Sequence, residues 1–167
     1  MSVYRFNRLK VLIVDDNPHM RTLIATVLHA FGATQIHEAA DAELGWKTLR
    51  DAIPDVVFVD WALGGSPGID LVKRIRTAPD SPYPYLPVIM LTGHTQMAYV
   101  NKARDAGVNE FLAKPISAKA LYQRFASIIE NPRPFIRTRS YFGPDRRRQN
   151  LGPPRGMAER RKNEIEK

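Results

Sequence analysis

The chain has 167 residues and a formal net charge of +8, enough length for one domain of typical size with some residues to spare. It contains no cysteine, which excludes disulfides and thiolate metal sites and is compatible with a reducing compartment. No apolar run approaches the roughly 20 residues that cross a bilayer, and the first ten residues lack the apolar stretch of a secretion signal, so we expect a soluble, cytoplasmic protein.

The positive charge is concentrated in the C-terminal part of the chain. Residues 1–130 carry 14 Lys and Arg against 13 Asp and Glu, whereas residues 131–167 carry 11 against 4. Apolar periodicity also ends near Asn131. We therefore predict a globular domain over 1–130 and, over 131–167, a basic extension rich in proline and arginine that is largely disordered or is ordered by a partner.

Apolar runs and helix-capping residues in the globular part predict five strands that alternate with five helices. In chain order, the predicted strands are Leu9–Asp15, Thr34–Glu38, Asp55–Asp60, Pro87–Thr92 and Asn109–Ala113. The predicted helices begin near Pro18, Asp41, Ile69, Thr95 and Ser117. Right-handed crossovers then give a parallel sheet with helices on both faces. The sequence thus predicts a flavodoxin-like doubly wound α/β fold, with strand order 2-1-3-4-5 by analogy, plus an irregular basic tail.

Acidic side chains end the first and third predicted strands, between which a sheet of strand order 2-1-3-4-5 has its ligand crevice. Asp60 closes the apolar run Val56–Val59, and the first strand ends in Asp15 and Asp16. Ligand sites of such sheets lie at the carboxyl ends of the strands, where three carboxylates repel one another unless a cation lies among them. An all-oxygen donor set favours Mg²⁺ over a softer metal. Taken alone, Asp60 fits an ordinary helix cap equally well.

A hydroxyl and an ammonium stand at the ends of the last two strands. Thr92 ends the fourth strand, and Lys114 follows the fifth, next to Pro115. Each could contact an oxygen of a transferred phosphoryl group while a carboxylate nucleophile accepts that group. A solvated surface lysine is the simpler interpretation of Lys114 alone. In company with Thr92 and the three carboxylates, the phosphoryl-transfer site is favoured.

Four short motifs carry these strand-end residues: Leu12–Asp16, Val59–Asp60, Leu91–Thr92 and Phe111–Pro115. Their order and spacing over about residues 8–130 resemble the receiver domain of two-component response regulators, of the single-domain, chemotaxis-regulator type. The resemblance implies that a histidine kinase or a histidine phosphotransfer protein phosphorylates Asp60. It also implies a protein switch in a phosphorelay and not an enzyme, with slow self-dephosphorylation.

The resemblance further implies a role for each of the other strand-end residues. The implied Mg²⁺ ligands are Asp15, Asp16, Asp60 and the backbone carbonyl of Ala62. Lys114 would bind the phosphoryl group, and Thr92 would move to hydrogen-bond it. Phe111 occupies the position of the aromatic switch, where tyrosine is more usual. The fourth helix, fifth strand and fifth helix would form the face that binds an output protein, with a homodimer as an alternative.

Some residues near the site and in the tail are open to more than one interpretation. His94 is read as a solvated loop residue, with a general base for dephosphorylation as the alternative. Arg146–Arg148 beside Tyr141 and Phe142 would suit nucleic acid, through phosphate contacts and stacking. They would also suit an acidic protein, anionic lipid, the globular domain itself, or simple solubilisation. The cluster of aromatic side chains favours an ordered contact.

Two further expectations concern the alternatives to a receiver. A metal-dependent hydrolase with an aspartyl nucleophile is disfavoured, because that class carries a second acid two residues after the nucleophile and this chain has Ala62 there. A regulator that binds nucleic acid through its tail remains the alternative function.

A short charged helix is predicted near the end of the tail, over Met157–Glu166.

Overall fold

The computed structural model describes residues 6–93, 96–147 and 164–166. After a 3-10 turn at Phe6–Arg8, strands and helices alternate. The strands of the main sheet are β1 (Lys10–Val14), β2 (Gln35–Ala39), β3 (Val56–Asp60), β4 (Val88–Thr92) and β5 (Glu110–Ala113). The helices are α1 (Pro18–Ala30), α2 (Ala42–Ala52), α3 (Gly68–Thr77), α4 (Met97–Ala106) and α5 (Ala118–Glu130).

The five strands form one parallel sheet in the order β2-β1-β3-β4-β5. The predicted doubly wound fold and strand order are therefore confirmed. Because Val14 is aligned with Val59 across β1 and β3, the next residues of the two strands, Asp15 and Asp60, come side by side. β1 and β3 are thus the elements that bring the acidic residues together.

Three helices begin at side-chain caps that the sequence indicates, and α4 ends at a predicted glycine. The Asn17 side chain accepts hydrogen bonds from the first turn of α1, where Pro18 takes the first position. Asp41 and Ser117 cap α2 and α5 in the same way. Gly107 ends α4 with φ 100°, a left-handed conformation that glycine adopts at little cost. Within the described ranges, no helix is long and apolar enough to cross a membrane.

Two apolar clusters lie on opposite faces of the sheet. On one face, inward side chains of β1, β3 and β4 pack against α2, α3 and α4, with Trp46 and Ile75 among the buried residues. On the other face, the alternate side chains pack against α1 and α5, with Leu28, Phe58 and Phe125 among them. Because helices cover both faces, the central strands β3 and β4 are buried along their whole length.

The extension forms ordered structure that continues from α5. Strands β6 (Phe135–Arg137) and β7 (Phe142–Pro144) pair antiparallel and pack beside the amino ends of β4 and β5. Phe142 is only 8% exposed. We call residues 132–147 the docked segment. Among the alternatives that the sequence leaves open for the tail, residues 132–147 follow the one in which the tail contacts the globular domain itself. Residues 148–163 and 167, to which the predicted disorder also applies, lie outside the described part.

A third short strand, β8 (Glu164–Glu166), pairs antiparallel with the other edge of β6. The helix predicted over Met157–Glu166 is therefore wrong for its last three residues, and 157–163 lie outside the described residues. The physical reason is non-local. An open strand edge offers backbone partners that the local charge pattern does not reveal.

Arg76, near the end of α3, is a buried cation that the sequence did not single out. Its side chain is enclosed, with the residue 3% exposed. Nε and Nη2 donate to the carbonyl of Gly107, Nη1 donates to those of Pro84 and Leu86, and Nη2 also donates to Oδ1 of Asn109. Burial lowers the pKa of Arg76 to about 9, so the guanidinium is charged at neutral pH. It joins α3 to the segments that precede β4 and β5.

Candidate functional site

Asp15, Asp16 and Asp60 meet at the carboxyl edge of β1 and β3. One carboxylate oxygen from each lies within 4.8 Å of the others. Asp15 is fully buried and Asp60 nearly so, whereas Asp16 is exposed. Burial, together with the neighbouring charge of Asp60, raises the pKa of Asp15 above its ordinary value. Clustered carboxylate oxygens are the donor set that hard divalent cations prefer, so this group could hold a metal ion.

Lys114 bridges two of the three carboxylates. Its Nζ lies 2.8 Å from Oδ1 of Asp60 and 3.5 Å from Oδ2 of Asp15. The Lys114–Pro115 peptide bond is cis. Burial alone would lower the pKa of Lys114, but the hydrogen bond and charge of Asp60, with those of Asp15, outweigh burial and raise this pKa. The charged ammonium therefore offsets part of the negative charge of the cluster.

Thr92, Phe111 and Ala62 belong to β4, β5 and the loop after β3. Thr92 ends β4 one residue beyond Leu91, the partner of Asp60 in the sheet register, and is buried. Phe111 on β5 is half-buried and packs on the same apolar cluster as α3 and α4. Ala62 lines an open cleft together with Asp16. The structure therefore brings the three carboxylates, Lys114, Thr92 and Ala62 to one edge of the sheet, with Phe111 two residues before the end of β5. His94 lies outside the described residues.

Trp61 is not among the residues predicted from the sequence, although it adjoins Asp60. Its main-chain N–H donates to Oδ1 of Asp60 at 2.9 Å. Its ring meets Tyr99 of α4 edge-on, with the centroids 5.3 Å apart. A tryptophan directly after a strand-ending acid could have been noticed in the sequence. The sequence does not indicate, however, that its partner is Tyr99, which lies much further along the chain. Trp61 thus connects the Asp60 carboxylate to α4.

Arg21 supports Asp15 from α1 and was likewise not predicted. Its Nη1 donates to the main-chain carbonyl of Asp15 at 2.8 Å, and its Nε bonds Oε2 of Glu38 at 3.0 Å. The Asn17 main-chain N–H donates to Oδ1 of Asp15 at 2.8 Å. These contacts fix both the backbone and the carboxylate of Asp15, so the position of this acidic side chain is well defined.

Gly68 lets α3 begin directly against the end of β3. A Cβ at this position would overlap the main-chain carbonyl oxygen of Asp60. The main-chain N–H of Gly68 donates to the Trp61 carbonyl at 2.7 Å. We expect Gly68→Ala to lower the free energy of unfolding by about 1–3 kcal/mol, because the backbone beside Asp60 must move. Chemical denaturation measures the change.

The matched control for Gly68→Ala is Gly65→Ala in the same loop. A Cβ at Gly65 would meet nothing within 4 Å, so we expect a change of less than about 0.5 kcal/mol. Equal stability of the two variants would contradict the close approach of α3 to Asp60.

A family model of the response regulator receiver domain matches residues 11–126. The chain belongs to the response regulator receiver family. It is therefore a two-component signalling protein, and the carboxylates, lysine and threonine described above lie within the part that matches. The family model ends before the docked segment begins.

Individual relatives agree with this assignment. Chemotaxis protein CheY-3 of Vibrio cholerae is 35% identical over 122 residues, which cover 73% of this chain and 92% of that protein. Chemotaxis protein CheY of Pseudomonas aeruginosa is 34% identical over 122 residues, with 73% and 97% covered. Among solved structures, chemotaxis protein CheY4 of V. cholerae matches with a TM-score of 0.67 at 27% identity, over 72% of this chain and 98% of that one. The receiver domain of NtrX from Brucella abortus matches with a TM-score of 0.65 at 31% identity, over 73% and 99%.

Proposed function

We propose that Asp60 is the phosphoacceptor of this receiver and that the donor is a histidine kinase or a histidine phosphotransfer protein. The observation that supports the proposal is the position of Asp60, at the end of a central strand, next to two other carboxylates and 2.8 Å from the Lys114 ammonium. An Asp60 carboxylate oxygen attacks phosphorus and forms a P–O bond. The P–N bond to the donor imidazole breaks, and its electron pair returns to the imidazole nitrogen.

The surrounding residues have distinct roles in this proposal. Mg²⁺ bound by the three carboxylates and the Ala62 carbonyl would neutralise charge on the phosphoryl oxygens. Lys114 binds a phosphoryl oxygen from the other side, since its ammonium is already directed at Asp60. Thr92 donates its hydroxyl to the same group. The added charge, close to −2, is what the switch responds to.

The output in this proposal is protein binding. Thr92 and Phe111 change packing together, which alters the face formed by α4, β5 and α5, where a partner protein or a second copy binds. The curated relatives described above are chemotaxis proteins, and we extend the same kind of output, contact with a partner protein, to this chain. Slow self-dephosphorylation ends the signal and is not turnover of a substrate.

The described residues give the nucleic-acid alternative no support. Phe142 is buried and Tyr141 donates its hydroxyl to the Pro144 carbonyl, so neither ring is offered as a stacking platform. Arg146 pairs with Asp105. Arg148 lies outside the described part of the chain. We therefore do not propose this function.

Phosphoryl transfer is tested directly with acetyl phosphate as a small-molecule donor. The purified full chain is incubated with acetyl phosphate and Mg²⁺, then run on a phosphate-affinity gel and weighed by intact-mass spectrometry. We expect a retarded band and a mass increase of one phosphoryl group, both absent from Asp60→Asn and from a sample with EDTA. The exposed acid Asp70 supplies the matched control, because Asp70→Asn is expected to phosphorylate normally. Modification that persists in Asp60→Asn would refute the assignment.

A further inference from the structure

The docked segment contacts the C-terminal end of α4 through several residues. Arg146 Nη1 lies 2.6 Å from Oδ1 of Asp105, and Arg104 Nη2 donates to the main-chain carbonyl of Arg146 at 2.7 Å. Gly143 lies against Gly107, because a Cβ at Gly143 would approach the Gly107 Cα to 2.9 Å. The last turn of α4 and its capping glycine are therefore held by side-chain and backbone contacts together.

The same segment also contacts elements on either side of α4. Its two phenylalanines, Phe135 and Phe142, enclose the Tyr85 ring, with centroid distances of 5.0 and 5.2 Å, and the Phe135 ring covers the Arg76 guanidinium at 5.0 Å. At its beginning, Arg133 reaches Glu110 of β5 at 3.4 Å. The docked segment thus connects α4 to α3 and β5 across one side of the domain.

α4 has little packing of its own to fix its position. Of its ten residues, the buried ones are Ala103 and Ala106, whose small side chains remove little apolar area from water. Gln96 makes no side-chain cap hydrogen bond to the helix, and Met97 is 70% exposed. Among the described contacts, α4 is therefore held by its two small buried side chains in the apolar cluster, by Tyr99 against Trp61 at one end and by the docked segment at the other.

We propose that the docked segment is an autoinhibitory clasp on α4, so that docking of 132–147 and phosphorylation of Asp60 oppose each other. The inference rests on the proposed function of Asp60. The docking contacts coexist with an Asp60 carboxylate whose Oδ1 accepts from the Trp61 N–H and from Lys114. A phosphoryl group on Asp60 adds volume and charge at this point. Trp61 and Tyr99 then move α4, and a displaced α4 cannot keep the complete set of contacts at its other end.

Coupling of this kind is reciprocal, because each event must disfavour the other by the same factor. Phosphorylation is expected to loosen the docked segment, and loosening the segment is expected to favour phosphorylation. Typical couplings start at about fivefold, which sets the size of effect to look for in both directions.

The first arm of the test follows the docked segment when the acceptor is loaded. Amide hydrogen exchange by mass spectrometry is compared for the full chain with and without beryllium fluoride and Mg²⁺, which together mimic the phosphoryl group. We expect exchange over 132–147 to accelerate about fivefold or more, while the central strand β3 is unchanged. Unchanged or slower exchange over 132–147, in protein that the phosphate-affinity gel shows to be phosphorylatable, would overturn the inference.

The second arm loosens the segment and follows the acceptor. Gly143→Leu places a side chain against Gly107, and Ser140→Leu is the matched control on an exposed turn of the same segment. We expect Gly143→Leu to exchange rapidly over 132–147 and to bind beryllium fluoride, in the presence of Mg²⁺, about fivefold more tightly than the unmodified chain, while Ser140→Leu behaves as the unmodified chain. A loosened segment with an unchanged affinity for beryllium fluoride would refute the clasp.

A charge exchange provides a variant that leaves the contacts of Phe135 and Phe142 with Tyr85 unchanged. Arg146→Asp sets two like charges beside each other and is expected to tighten the binding of beryllium fluoride, and adding Asp105→Arg restores an ion pair and is expected to return the affinity to that of the unmodified chain. Failure of the double variant to restore the affinity would count against the α4 contact. Absence of phosphorylation in the unmodified chain would instead refute the proposed function of Asp60.

Discussion

Replacing Arg76 by leucine is expected to lower the free energy of unfolding by about 3–5 kcal/mol. The guanidinium donates to the carbonyls of Pro84, Leu86 and Gly107, and leucine donates nothing. A buried acceptor without a partner costs about 1–3 kcal/mol, and partial relaxation reduces the sum. Urea denaturation monitored by circular dichroism measures the loss.

Two further variants serve as controls for the Arg76→Leu prediction. Lys73→Leu changes an exposed cation on the same helix, with 60% side-chain exposure, and is expected to stay within about 0.5 kcal/mol of the unmodified chain. Arg76→Lys keeps the charge but has three donors instead of five, so we expect an intermediate loss. An Arg76→Leu change smaller than about 1 kcal/mol would mean that the three carbonyls find other donors.

Replacing Lys114 by methionine is expected to have opposite effects on two properties of the site. Mg²⁺ affinity should rise about tenfold, because the ammonium competes with a metal for Asp60. Two opposite charges 4 Å apart attract by roughly 4 kcal/mol at an effective dielectric of 20, and solvent screening of the partly exposed Lys114 leaves only part of this energy. Phosphorylation by acetyl phosphate should slow about 100-fold, because no cation then binds the phosphoryl oxygen on that side. Calorimetric Mg²⁺ titration and the phosphate-affinity gel measure the two effects.

The control for this pair of measurements is Lys119→Met, an exposed lysine on α5. It changes the net charge equally and is expected to leave both Mg²⁺ affinity and phosphorylation unchanged. If Lys114→Met weakened Mg²⁺ binding, the ammonium would be organising the carboxylates and not competing with the metal. If phosphorylation kept its rate, Lys114 would have no contact with the transferred group.

The strand-end residues of the candidate site could be predicted from the sequence because each is marked locally. Asp60 follows an apolar run, and Asp15 follows another; parallel pairing of β1 and β3 then places them side by side whatever the rest of the chain does. Helix caps such as Asn17 and Gly107 are equally local. The start of α4 was predicted two residues too early, at Thr95, because no side-chain cap marks it.

Features that depend on distant partners could not be predicted in this way. Arg76 looks like any helix arginine, and its acceptors belong to segments that adjoin it only after folding. The aromatic residues of the extension indicated an ordered contact, but Phe135 and Phe142 give no sign that Tyr85 is their partner. The contact between Trp61 and Tyr99 could not be predicted for the same reason, because a ring pair between a loop and a helix leaves no regular spacing in the sequence.

The docked segment lies beside the amino ends of β4 and β5, whereas Asp60 lies at the carboxyl end of β3, which is five residues long. About 15 Å of packed sheet therefore separates the two rims, at roughly 3.3 Å per residue. Within the proposed clasp, Asp60 therefore makes no direct contact with the docked segment, and α4, which Tyr99 joins to Trp61 at one end and Arg146 joins to the docked segment at the other, is the element through which each acts on the other.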